Sequence, residues 1–156
     1  MIPKDLLIQA DHLANLSPKR PKQANLRRSV SSAYYAVFHA LCFSNANSLA
    51  GKGANKLSGA WLQTYRAVDH GKAKKLCKDA GRRGFPVEIT DFAAAFISLQ
   101  EHRHRADYNP ETSAHYTKKE VSGLVSVARS AVTAIENASL SDRKAFAIHL
   151  LLQYRE

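Results

Sequence analysis

Apolar residues recur at the spacing of an α-helix along almost the whole chain. The clearest case is a wide apolar stripe that contains Leu26, Val30, Ala33, Tyr34, Val37, Phe38 and Leu41. Residues three or four positions apart lie on one face of a helix, so this stripe predicts a long, central helix. Alternating runs rich in β-branched residues, which are typical of strands, are missing from the sequence. The pattern therefore predicts an all-α protein.

The same spacing, together with turn and capping signals, predicts where the helices lie. The predicted segments are about 4–16, 23–45, 56–69, 70–78 and 88–108. A capping box of Thr117 and Glu120 opens a further helix, and Ser141-Asp142 caps a last helix that ends near Arg155. Residues 45–55, rich in Asn, Ser, Gly and Ala, predict a loop. We expect an antiparallel bundle of four to five core helices, with a short helical insert between the second helix (23–45) and the fourth (88–108).

Length and composition limit the class of protein. The 156 residues predict one domain, 1–156. No apolar run reaches the roughly 20 residues of a membrane span, and the N-terminus lacks the apolar region of a signal peptide. We therefore expect a cytoplasmic protein that has no membrane contact. Cys42 and Cys77 belong to no metal-ligand pair, so they predict buried thiols, and no cofactor is expected.

The net charge favours a polyanionic partner. Lys and Arg number 23 against 13 Asp and Glu, which leaves a formal charge of +10 at pH 7. Such an excess attracts nucleic acid before other partners. The basic run between Lys72 and Arg83 is compatible with a solvated helix face and with a grip on a phosphate backbone. The sequence contains no glycine-rich phosphate loop and no nucleophile elbow.

The helix predicted over 88–108 carries polar groups at the end of its apolar stripe. Arg103 continues the stripe of Phe92, Phe96 and Leu99, and a guanidinium there needs a carboxylate, a carbonyl, a phosphate or water. One alternative is an intrahelical pair with Asp107, four residues on. The other is an anion site at the end of the bundle or at a dimer seam.

Histidine, tyrosine and arginine side chains extend this candidate site. His102 and His104 are two residues apart and face different sides of the helix, which argues against joint metal binding. On the second helix, Tyr35 and His39 are four apart and share a face. The predicted catalytic residues are Arg103, His102, His104 and Tyr108. The predicted binding residues are Arg103, Arg105, Asp107, Tyr35, His39 and Arg28. No metal ligands are predicted.

Two segments together resemble the signatures of the HEPN-domain family, in its small stand-alone prokaryotic form. Residues 26–40, LRRSVSSAYYAVFHA, are similar to the family's second-helix signature. Residues 103–110, RHRADYNP, resemble the Arg-x-x-Ala-Asp-Tyr signature late in its fourth helix. The order and lengths of the predicted helices match the family over roughly residues 5–140.

The resemblance implies a homodimer and three alternative functions. The first is binding of RNA or a nucleotide, within a toxin–antitoxin or defence module, with Arg103 as the main phosphate ligand. The second is a metal-independent endoribonuclease with a non-standard motif. Catalytic members of the family have four to six residues between Arg and a following His, whereas Tyr108, Asn109 and Pro110 occupy those places after Arg103. The third is a noncatalytic partner of a nucleotidyltransferase antitoxin, with Tyr108 as a modification target.

Overall fold

The structure is a computed structural model that describes residues 1–154. Within this range the chain forms seven α-helices and no strand, so the predicted all-α class and helical bundle are confirmed. The helices are α1 (Ile2–Asn15), α2 (Gln23–Ala50), α3 (Ser58–Arg66), α4 (His70–Asp79), α5 (Val87–Tyr108), α6 (Lys118–Asn137) and α7 (Leu140–Leu151). Helices α3 and α4 form the predicted insert. In the described part of the chain, no helix is long and apolar enough to cross a membrane.

The described chain divides into two compact units. The first contains Met1–His39 and Ala95–Val132. Its core consists of fully buried side chains of α2, α5 and α6, among them Leu26, Val30, Tyr34, Val37, Phe96, Leu99, Val121 and Val125. Tyr34 was predicted as a core residue, and this is confirmed. α1 adds Leu7, Ala10 and Ala14, one helical turn apart.

The second unit contains Ala40–Ala94 and the described residues from Thr133 onward. Its core is built around the fully buried side chains of Leu41, Ile89, Phe92, Ile135 and Phe146. The aromatic rings of Phe92 and Phe146 meet edge to face, with centroids 6.3 Å apart. Cys42 and Cys77 are buried free thiols in this unit, as predicted.

The prediction of a loop over 45–55 is wrong in its first half, because α2 continues to Ala50. The side chains of Ala46, Ser48 and Ala50 are small, and all three are buried. Packing of these residues outweighs the weak helix propensity of the Asn- and Ser-rich sequence. The helix ends where Gly51 adopts a positive φ of 78°.

The helix caps agree in part with the predictions. The capping box that opens α6 is confirmed: Thr117 Oγ1 accepts from the Glu120 amide at 3.1 Å, and Glu120 Oε2 accepts from the Thr117 amide at 2.9 Å. The predicted cap of α7 is wrong, since Ser139 and not Ser141 accepts from the Asp142 amide. α7 ends at Leu151 instead of near Arg155, a residue that lies outside the described range.

Candidate functional site

The first unit places the guanidinium of Arg103 against two tyrosine rings. Its side chain is only 14% exposed, as expected for a residue that continues the buried stripe of α5. The guanidinium carbon lies 5.2 Å from the ring centroid of Tyr34 and 6.0 Å from that of Tyr35. Both rings can interact with the cation through their π faces, and these contacts hold the guanidinium beside Tyr34 and Tyr35 of α2.

The predicted intrahelical pair of Arg103 and Asp107 is present but loose. Arg103 Nη1 lies 3.9 Å from Asp107 Oδ2, which is within ion-pair range and beyond hydrogen-bond range. The other carboxylate oxygen, Oδ1, accepts a hydrogen bond from the hydroxyl of Ser31 on α2. Ser31 therefore holds the carboxylate between the two helices and shares it with the arginine.

Arg103 is a mostly buried predicted ligand whose hydrogen-bonding capacity is unused. Within residues 1–154, none of its N–H groups donates a hydrogen bond, and its Nε is buried without a partner. A guanidinium has five N–H donors in a rigid fork that matches carboxylate and phosphate oxygens. Burying such donors without acceptors costs free energy. The arrangement can accept a phosphate oxygen at the exposed edge of the guanidinium, beside the Asp107 carboxylate.

A second arginine, Arg27, has a structural role that the sequence reasoning missed. Its Nη1 donates to the carbonyls of Ala106 at 3.1 Å and Asn109 at 2.5 Å, with a longer contact to Arg105. Its Nη2 reaches the carbonyl of Ala114 at 3.5 Å. The Ala106 carbonyl has no amide donor four residues on, because Pro110 lacks an N–H, so a cation that joins it to the Asn109 carbonyl stabilises the end of α5, the helix that carries Arg103. The neighbouring predicted ligand, Arg28, is exposed.

His102 and Arg105 belong to another cluster, which is centred on Tyr116. The Tyr116 hydroxyl donates to the His102 carbonyl at 3.1 Å and lies 3.0 Å from His102 Nδ1. Because the hydroxyl's proton is donated to the carbonyl, we assign the proton of the neutral imidazole to Nδ1, which then donates to the hydroxyl oxygen. The Arg105 guanidinium lies 4.5 Å from the Tyr116 ring centroid, and the Gln23 side-chain amide exchanges two hydrogen bonds with the Tyr116 backbone.

This cluster also determines the charge of His102. Burial lowers the pKa of His102, and the nearby positive charge of Arg105 lowers it further. The imidazole is therefore neutral at pH 7. Tyr116 is itself buried, and no sequence signal pointed to it, because it lies in the short segment between α5 and α6.

Three predicted residues remain, namely His104, Tyr108 and His39. His104 and Tyr108 are exposed, with ring centroids 5.0 Å apart, and Tyr108 is 67% exposed. His39 is half-buried beside the ring of Phe38, and burial lowers its pKa. The structure thus brings Arg103, Asp107 and Tyr35 together, and it gives His102 and Arg105 different partners.

No group of three or more His, Cys, Asp or Glu in residues 1–154 is arranged to hold a metal ion. Comparisons of the chain with protein-family models, with curated proteins and with solved structures return no match.

Proposed function

We propose that this is a cytoplasmic HEPN-like helical protein that binds RNA or a nucleotide by a phosphate group at Arg103. The observation that supports the proposal most directly is the state of Arg103: a mostly buried guanidinium that makes no hydrogen bond among the described residues. Purely structural arginines use their donors, as Arg27 does at the end of α5. A buried guanidinium with unused donors needs an explanation, and a bound phosphate, which matches its fork of donors, supplies one.

The surroundings of Arg103 support recognition of a phosphate over a plain charge contact. Asp107 lies too far for a hydrogen bond and is held by Ser31, so it orients the guanidinium without occupying its fork. The half-buried ring of Tyr35 lies beside the cation and offers a surface on which a base can stack. The net charge of +10 adds long-range attraction for a polyanion.

A binding titration with a matched charge control tests the proposal. Fluorescence anisotropy with a short labelled single-stranded RNA, repeated at several salt concentrations, compares wild type with Arg103→Gln and Arg129→Gln. Arg129 is an exposed arginine of the first unit that pairs with Asp11, so its variant removes the same charge. We expect Arg103→Gln to weaken binding and to lower the salt slope by about 0.7, the contribution of one single-strand phosphate contact.

The control variant should keep the wild-type slope to within the error of the titration. Equal losses in both variants would mean that general charge drives binding, and the proposal would be abandoned. The same samples, incubated with RNA in EDTA, test the alternative of a metal-independent endoribonuclease. Cleavage by wild type and not by Arg103→Gln would favour the enzyme. Light scattering of the purified protein tests the homodimer that the resemblance implies.

The exposure of Tyr108 favours a second candidate function, as the noncatalytic partner of a nucleotidyltransferase. Its ring is 67% exposed at the last position of α5, where an enzyme can reach the hydroxyl. Mass spectrometry after coexpression with a nucleotidyltransferase from the same genomic neighbourhood would find added nucleotide on Tyr108. An unmodified peptide, together with full modification of a known substrate in parallel, would exclude this function.

A further inference from the structure

We infer that the second unit contains a binding pocket for a small amphiphilic anion, formed by the last turn of α2, the loop after it and the start of α7. The cavity has a volume of about 450 Å³, which lies within the usual range of small-molecule pockets. Its residues belong to the second unit alone, and the inference does not depend on the role proposed for Arg103.

The charged residues of this pocket all have the same sign. Lys52, Arg143 and Lys144 line it, and no Asp or Glu is among its described lining residues. Arg143 is half-buried and donates through Nε to the carbonyl of Ala138 at 3.2 Å, which holds its guanidinium in place. Three cations around one concave surface, without a carboxylate to neutralise them, favour an anionic ligand.

The apolar part of the lining indicates what else the ligand carries. Leu49, Leu57 and Leu140 line the same cavity, and each is between 39% and 65% exposed. Exposed leucines are common singly, whereas three around one pocket form an apolar patch that a ligand can cover. A molecule with one anionic head, a phosphate ester or a carboxylate, and an aliphatic body satisfies both parts of the lining.

The loop that forms one wall turns at a glycine and is closed by a backbone hydrogen bond. Gly51 has a φ of +78°, and a Cβ at this position would lie 2.3 Å from the carbonyl oxygen of Asn55. The amide of Leu57 donates to the carbonyl of Ala50 at 2.9 Å and closes the loop on itself. The backbone that carries Lys52 is therefore held by the loop's own hydrogen bond, so little backbone entropy is lost when a ligand binds.

The chain also carries its own reporter for this pocket. Trp61 is the single tryptophan, and its Nε1 donates to Oδ1 of Asn47 at 2.9 Å. Asn47 lines the cavity, so a ligand that contacts this amide changes the environment of the indole. Tryptophan fluorescence then reports occupation of the pocket without a label.

The test titrates the full chain with four probes: octyl phosphate, octanoate, inorganic phosphate and octanol. Trp61 fluorescence and isothermal calorimetry are read in parallel. We expect octyl phosphate or octanoate to bind more tightly than both inorganic phosphate and octanol, because only these two have a charged head and an aliphatic body. The tighter of the two identifies the head group as phosphate or carboxylate.

Matched double variants separate the pocket from general charge. Lys52→Gln with Lys144→Gln should weaken binding of the preferred probe by about tenfold, because two charge-assisted contacts are lost. Lys75→Gln with Lys78→Gln, on exposed positions of α4, removes equal charge and should leave the affinity for that probe unchanged. A further variant, Leu57→Gln, should weaken the octyl probes and leave inorganic phosphate unaffected.

Three results would overturn the inference. The first is the absence of both heat and fluorescence change with every probe. The second is octanol binding as tightly as the anions, and the third is an equal loss of affinity in the two double variants. Because the four lysines and Leu57 are exposed, circular dichroism is expected to show every variant folded as wild type.

Discussion

Replacing Arg103 by methionine should change the stability of the protein by little, although the side chain is only 14% exposed. The substitution removes a buried donor that has no acceptor, the Nε, and retains a long side chain that can pack against Tyr34. It also removes the cation from the tyrosine rings and from Asp107. These effects oppose one another, so their sizes decide the outcome.

The contacts of Arg103 give the size of the stabilising and of the destabilising effects of the substitution. Relief of an unsatisfied buried donor contributes about 1–3 kcal/mol in favour of the variant. Loss of the cation–π contact at 5.2 Å costs about 0.5–2 kcal/mol, and loss of the 3.9 Å ion pair costs about 0–1 kcal/mol. The two sides cancel to within about 1 kcal/mol. For Arg27→Met, by contrast, well-made hydrogen bonds to carbonyls are lost, at a cost of about 2–3 kcal/mol.

Urea unfolding followed by far-ultraviolet circular dichroism measures both variants against wild type. The expected order of the free energies of unfolding is wild type close to Arg103→Met, with Arg27→Met clearly lower. If Arg103→Met lost as much stability as Arg27→Met, the arginine would serve the fold. The reasoning that its unused donors mark a ligand site would then be refuted.

Three further predictions follow from burial and hydrogen bonding. Burial raises the pKa of both Cys42 and Cys77 to about 12. We therefore expect these thiols to react with a thiol reagent at mildly alkaline pH only after unfolding in urea. Rapid labelling of the native protein would contradict their burial. Burial and Arg105 lower the pKa of His102 below its ordinary 6.5, so the unfolded state takes up a proton on this ring at a higher pH than the folded state. The stability contributed by the neutral ring is therefore complete above pH 6.5, and it is lost as the pH falls towards the folded pKa. Urea unfolding across this range should show a shallower loss for His102→Gln than for wild type, and identical slopes would count against the assignment. Replacing the fully unsatisfied, buried Asn45 by leucine should raise the free energy of unfolding by about 1–3 kcal/mol in the same assay, whereas a loss would mean that ordered water satisfies its amide.

The parts of the fold that were predictable from sequence depend on neighbours along the chain. The apolar stripes of α2 and α5 and the capping box of α6 each involve residues three or four positions apart. The same local logic placed Arg103 at the end of a buried stripe and paired it with Asp107. It failed for 45–50, where small polar residues form helix only because they are packed.

Within the candidate site, the sequence could identify the residue types at the end of α5 but could not show which partner each side chain contacts. Helical spacing alone could not show that His102 and Arg105 meet Tyr116, or that Ser31 holds the carboxylate of Asp107. Tyr116 lies 14 positions from His102, and Ser31 lies 76 positions from Asp107. Such contacts depend on which helices are neighbours and on their relative rotation, and neither is encoded in a local pattern.

The sequence by itself determined the helical class, the excess of positive charge and the position of Arg103 on a mostly apolar face, because these follow from composition and periodicity. Tertiary structure decided which cations are structural and which have unused donors. Arg27 and Arg103 are the same residue type on long helices, yet Arg27 meets a carbonyl 79 positions away at the end of α5. Among residues 1–154, Arg103 meets aromatic rings and a carboxylate 3.9 Å away. The physical reason is that hydrogen bonds depend on position and direction to within a fraction of an ångström, which only the packed chain supplies.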